Sequence, residues 1–147
     1  MMKKYLPLLV LIAVPIILAM GGSSGGPADR IPTAPKNVNA VFIDQNDIVT
    51  ECTGVSIDGN IFLEGKKGQG NYTIGFEKIK SVVFRMNNGE LLGTAKLIEG
   101  GETTLVLDKN KKAYGRTKFG SFQIRIASLK KMTIASVSKP EKTAGTN

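Results

Sequence analysis

The fifteen-residue stretch GNYTIGFEKIKSVVF, from Gly70 to Phe84, returns fifty residues later as GSFQIRIASLKKMTI, from Gly120 to Ile134. A chain that writes the same turns and strands twice must fold into something that repeats itself, either as two units or as one pseudo-symmetric whole. At this offset Asp58/Asp108, Asn60/Asn110, Gly65/Gly115, Lys66/Arg116, Gly70/Gly120, Ile74/Ile124, Ile79/Leu129 and Lys80/Lys130 coincide without a gap. Val55/Leu105, Ile57/Leu107, Tyr72/Phe122 and Phe76/Ile126 match in character. The matching positions are turn formers and alternate apolar residues, which set backbone geometry and core face.

The periodicity within each copy is that of β-structure. Tyr72, Ile74 and Phe76 alternate with Asn71, Thr73 and Gly75, which puts one face in a core and the other in water. Strands are expected at Val38–Ile43, Ile48–Ile57, Ile61–Glu64, Val82–Met86, Glu90–Ile98 and Thr103–Asp108, with further ones around Phe122–Ile126 and Met132–Ile134. Between them lie Asp44-Gln45-Asn46-Asp47, Asp58-Gly59-Asn60, Asn88-Gly89 and Glu99-Gly100-Gly101, rich in residues that tolerate positive φ and close tight hairpins. The expected fold is all-β: two tandem repeats, residues 38–87 and 88–137, each of about five short antiparallel strands. They form small barrels or one pseudo-symmetric barrel or sandwich. A unit of about fifty residues buries too little apolar area to stand alone without a disulfide or metal, so the copies should lean on each other.

The start of the chain follows another grammar. Lys3 and Lys4 precede Leu6–Met20, an apolar run without charge, and small residues stand at its end, Ala19 and Gly21. This is the pattern of a secretory signal. As a helix the run spans about 22 Å at ~1.5 Å per residue, short of a hydrocarbon core about 30 Å thick. Residues 1–21 are therefore expected to be a cleaved signal helix, and the protein periplasmic or secreted. The alternative is an uncleaved inner-membrane anchor over residues 5–22. No Cys follows the run to accept a lipid. Residues 22–37, with Pro27, Pro32 and Pro35, read as a linker, and residues 138–147 as a disordered polar tail.

The layout of Asn88-Gly89, then Leu91-Leu92-Gly93, a further strand and the Gly-x-x-x-Ile-x-apolar segment resembles the small SH3-like or Sm-like barrel modules of bacterial exported proteins. The resemblance covers residues 38–137 as two copies and rests on turns and core positions. It implies a binding module and no sharper function, since such barrels host many activities.

Composition narrows the chemistry. The chain has no His, which removes the usual general base and metal ligand at neutral pH and with it Ser-His-Asp, Cys-His and His-based zinc chemistry. Cys52 is the single thiol, so no disulfide forms within one chain. Asp58 and Asp108 are related by the repeat but lack the Asp-Thr/Ser-Gly context of aspartic proteases, and read as turn residues. Gly65–Gly70 (GKKGQG) matches neither dinucleotide nor P-loop spacing and is expected to be a hairpin loop. Asp44–Asp47 lacks the terminal Glu of a calcium loop. No cofactor and no metal is expected.

Charge is the remaining asymmetry. Residues 38–87 carry five Lys/Arg against six Asp/Glu, and residues 88–137 carry nine against four. Lys109, Lys111, Lys112, Arg116 and Lys118 crowd one hairpin, with Tyr114 and Phe119 interleaved, where the corresponding positions of copy one include Ile61, Phe62 and Leu63; Lys66 and Lys67 form a separate basic loop. A basic, aromatic-punctuated hairpin suits an envelope protein, an anionic polymer or a lipid headgroup surface. Nucleic acid is not expected for an exported chain, and membrane contact follows only if the N-terminal segment is retained. The functional expectation is a non-enzymatic exported envelope-binding module. The alternatives are a structural protein acting through strand-edge pairing and a carboxylate hydrolase using Glu51, Asp58 or Asp108.

Overall fold

The computed structural model describes Pro32, Ala34 and residues 36–138. The expected signal helix and most of the expected linker and tail lie outside the described residues, among which no helix is long and apolar enough to cross a membrane. The described chain is all-β. Its ten strands are β1 Asn37–Asp44, β2 Val49–Ile57, β3 Phe62–Lys67, β4 Gly70–Gly75, β5 Ile79–Asn87, β6 Glu90–Leu97, β7 Glu102–Leu107, β8 Lys112–Thr117, β9 Gly120–Arg125 and β10 Leu129–Ser138. Single 3-10 turns at Phe76–Lys78 and Ile126–Ser128 precede β5 and β10. Each turn drops its first residue, Phe76 or Ile126, into the core.

The strands build one antiparallel sheet in the order β4-β3-β7-β6-β5-β10-β1-β2-β8-β9. Advancing every strand by five places reproduces this order in reverse, about a centre where β5 meets β10 at Val82↔Met132. The expected barrels do not close: β4 and β9 remain the free edges of an open sheet. The sheet nevertheless curls strongly. Phe42 on β1 and Phe122 on β9 stack with ring centroids 5.8 Å apart, although β2 and β8 lie between them and three flat strand spacings would separate them by about 14 Å.

Alternation decides which face is covered. Val38, Ala40 and Phe42 of β1, Leu91 and Ala95 of β6, and Leu105 and Leu107 of β7 all point into one core. Asn88-Gly89 closes the β5–β6 hairpin with φ of 49° and 80°, the left-handed pair that matches strand twist. Asp58-Gly59 adopts a similar pair, 48° and 83°, and closes a bridge between Ile57 and Asn60.

Beyond that turn the expected hairpin does not form. β3 pairs with β4 and with β7, crossing into the other half of the sheet, while β8 pairs with β2 and β9. The reason is steric fit. A Cβ on Gly65 of β3 would lie 2.8 Å from Leu105 Cβ and 2.8 Å from the Val106 carbonyl, and one on Gly115 of β8 would lie 2.7 Å from Cys52 Cβ. Each hairpin carries a bare backbone site against which a strand of the other sequence copy lies in contact. The GKKGQG loop is likewise shorter than expected: Gly65–Lys67 belong to β3, and Gly68-Gln69 alone make the turn, with Gly68 at φ 61°.

Candidate functional site

The residues expected to form the basic surface separate into three places. Lys112, Tyr114 and Arg116 lie on one face of β8, alternating with buried Ala113 and Gly115. Across the ladder stand Arg125, Gln123 and Ser121 of β9, so the same face of the edge hairpin carries Lys112, Arg116 and Arg125, and Lys118 stands at its tip. Lys109 and Lys111 fall in the β7–β8 connection, where Lys111 Nζ lies 3.4 Å from Glu64 Oε2 and Lys109 Nζ donates to the Gly89 carbonyl at 3.4 Å. Lys66 and Lys67 stand on β3 in the other half, Lys66 opposite Val106 and Lys67 Nζ donating to Thr103 Oγ1 at 3.2 Å. Of the basic hairpin expected over Lys109–Phe119, residues 112–119 share β8–β9 while Lys109 and Lys111 stand in the connection before it, and Lys66 and Lys67 lie apart on β3.

Regrouping the strands by partner also changes the charge count. Residues 37–57 with 112–138 form the half-sheet β10-β1-β2-β8-β9 and carry six Lys/Arg against three Asp/Glu; residues 58–111 carry eight against seven. The imbalance between halves is smaller than it was along the sequence. Its source is local: all six cations of the first half-sheet lie on β8–β10 and all three carboxylates on β1–β2 and their turn.

The tip of the β8–β9 hairpin is built to hold an aromatic ring in water. Phe119 is 88% exposed, and Lys118 Nζ sits 5.0 Å from its ring centroid. Thr117 Oγ1 accepts from Phe119 N at 3.0 Å and donates to the Gly120 carbonyl at 3.1 Å, which fastens the turn to itself.

Beside this tip opens a cleft of about 1020 Å³. It arises because β2 changes partner along its length. Val49–Cys52 pair with Ile43–Ala40 of β1, whereas Thr53, Ser56 and Ile57 pair with β8. The switch falls between Cys52 and Thr53, beside Gly54, whose φ of 59° marks the bend and whose amide donates to Asn37 Oδ1. Glu51, Ile48 and Val49 line the cleft with Arg116, Lys118 and Phe119. Ile48 and Val49 are 59% and 61% exposed. Asn39, also lining it, has a buried Oδ1 with no hydrogen-bond partner. The sequence reading missed Ile48, Val49 and Asn39, although two adjacent apolar residues just after a turn are a visible signal: alternation can bury only one, and here neither is buried.

Cys52 forms part of the floor, but its thiol is an inert one. The side chain is buried against Gly115, and burial pushes its pKa up to about 11, so almost no thiolate exists at neutral pH. Asp58 and Asp108 act on the backbone: Asp58 Oδ1 accepts from Lys112 N at 3.1 Å and Asp108 Oδ1 from Asn110 N at 2.9 Å. Among the described residues no three His, Cys, Asp or Glu side chains gather as a metal site. A second depression of about 390 Å³ on the central strands brings Lys80, Lys96 and Lys131 near Glu102.

No curated protein and no solved structure matches the chain. A family model described as "Uncharacterised protein" matches residues 34–136, which is more than half of the chain and spans all ten strands but the last two residues of β10, and the chain belongs to that family.

Proposed function

We propose that this protein is a non-enzymatic, exported cell-envelope binding module, built by duplication from two SH3-like five-strand units, that recognises a protein partner or an anionic envelope surface through the β8–β9 hairpin. The observation that carries the reading is Phe119, 88% exposed at the tip of a hairpin whose four cations, Lys112, Arg116, Lys118 and Arg125, are matched by no carboxylate on the same hairpin. A ring this exposed gains little from burial in the monomer, and a ring flanked by cations suits an anionic or mixed surface. Export is supported by the basic start and apolar run at residues 3–20. Duplication is supported by the sequence offset and by the self-reversing strand order.

The test is a charge-neutralised hairpin, Lys112→Gln, Arg116→Gln, Lys118→Gln and Arg125→Gln, compared with the parent for capture of solubilised envelope proteins and of phosphatidylglycerol vesicles at low and high salt. Capture should fall roughly tenfold or more, because each cation near an anionic surface contributes about 1 kcal/mol. Unchanged capture, with unchanged thermal unfolding, removes the reading. A second role, envelope assembly by strand-edge pairing, is favoured by one observation: β4 and β9 are both uncovered edges. Light scattering that shows mass rising with concentration supports it.

A further inference from the structure

We infer that the cleft between the first half of β2 and the β8–β9 tip is a strand-addition site for an extended peptide that carries a carboxylate next to an apolar side chain. This rests on the binding-module reading and names the partner's chemistry and the place where it is held. The ladder between β2 and β8 ends at Thr53↔Arg116, yet β2 continues to Val49. Along Val49–Cys52 one edge of the backbone is taken by β1 and the other faces the cleft with no partner among the described strands. In a strand, alternate residues turn both N–H and C=O to each side, so this edge offers main-chain donors and acceptors in the register that an added strand needs.

Side chains at the cleft define what the added strand carries. Ile48, Val49 and Phe119 offer exposed apolar surface to rest against. Arg116 and Lys118 line the same cleft and make no ion pair among the described residues. Glu51 adds one negative charge to the floor, so the peptide's carboxylate belongs at the Arg116–Lys118 side, away from it.

The other half-sheet contains a natural control. By register, Glu102–Leu105 of β7 corresponds to Val49–Cys52, because Gly93↔Leu105 and Val106↔Lys66 repeat Ala40↔Cys52 and Thr53↔Arg116. There Lys67 crosses to Thr103, and the hairpin tip is Gly68-Gln69. In the first half-sheet Thr117 stands in the place of Lys67 and bonds within its own turn. One overhanging edge is strapped and blunt-tipped; the other is open and carries Phe119.

The experiment selects binders from a displayed library of random short peptides on the full chain, then follows amide exchange with one synthesised binder. Enriched sequences should carry Asp or Glu close to an aromatic or aliphatic residue, and the peptide should slow exchange within Val49–Cys52. Affinity should fall roughly tenfold or more in Phe119→Ser and in the pair Arg116→Gln with Lys118→Gln, and stay unchanged in Gln69→Ser. No enrichment, protection confined to other strands, or a Phe119→Ser protein that binds as the parent does overturns the site. Vesicle binding that is lost with Phe119→Ser while no peptide enriches also overturns it and leaves the broader envelope-surface reading standing. Loss of peptide binding in the charge-neutralised hairpin alone, with Phe119→Ser unaffected, retains that broader reading and rejects the cleft.

Discussion

The hairpins β3–β4 and β8–β9 are held in the same way and finished differently. Both place a glycine, Gly65 or Gly115, flat against a strand from the other sequence copy, both turn over two residues, and both put an aromatic, Tyr72 or Phe122, opposite that glycine. Outward, they part. Glu64 and Lys66 of β3 stand where β8 has Tyr114 and Arg116, and Glu64 is already satisfied by Lys111. The tip Gly68-Gln69 stands where the other hairpin has Lys118-Phe119. Contacts that fix the backbone are shared, while those that meet solvent are free to diverge, so the difference between the two tips points to function more directly than any feature they have in common.

The strongest test of the shared frame is to crowd its two glycines. Gly65→Ala drives a methyl to 2.8 Å from both Leu105 Cβ and the Val106 carbonyl, neither of which is the end of a flexible chain. Gly115→Ala meets Cys52 Cβ at 2.7 Å, but the next contacts, at 3.1 and 3.4 Å, leave more room. Both should destabilise by about 1–3 kcal/mol, as overpacking does, and urea unfolding should rank Gly65→Ala as the worse. Equal or reversed losses would mean that the two hairpins are not seated alike.

A smaller effect separates the strands beneath them. Leu105 and Cys52 take the same place under their glycines, but only the thiol titrates. Burial raises its pKa to about 11 from the thiol's ordinary 9.0, so the folded state holds the proton more tightly than the unfolded chain. The associated stability is complete below about pH 9 and is lost as pH rises through 11. Relative to Cys52→Ala, the parent should lose on the order of 2 kcal/mol across that window, and its thiol should stay unlabelled by a disulfide reagent at pH 8 until the chain unfolds. Fast labelling of the folded protein would show the floor of the cleft to be open to reagents.

Turn chemistry was readable from the sequence because Asn88-Gly89 and Asp58-Gly59 need positive φ, and few residue types accept it. The core faces were readable because alternation admits one solution for strands such as β1 and β6. Strand partnership was not, since it depends on fits between residues far apart in the chain, such as Gly65 with Leu105, that no local pattern encodes. The gapless offset also misled locally. It sets Val55 beside Leu105, whereas the sheet register puts Cys52 in that place, because β2 carries three more residues than β7, nine against six, around the bend at Gly54. That same bend opens the cleft, so the candidate site lies where the two halves stop matching. Of the expected binding residues, Lys112, Tyr114, Arg116, Lys118 and Phe119 share a hairpin because they are near in sequence; Lys66 and Lys67 are placed elsewhere by the strand crossing.

The least disturbing change is the most informative about the tips. Exchanging them, Phe119→Gln with Gln69→Phe, should move stability by no more than about 0.5 kcal/mol, because Phe119 is 88% exposed and its turn is held through Thr117 Oγ1 and the backbone. Recognition should nevertheless be lost from the β8–β9 hairpin and should not reappear at β3–β4. An aromatic ring alone is insufficient there: Lys67 is engaged by Thr103, Glu64 by Lys111, and the edge of β7 beneath the new ring has Glu102 and Thr104 where β2 has Val49 and Glu51. Binding that follows the phenylalanine to residue 69 would show that the ring by itself is the ligand-contacting element and that the cleft at Val49–Cys52 contributes nothing. Binding that stays with the first half-sheet after the exchange would place recognition in Arg116 and its neighbours, with Phe119 a bystander.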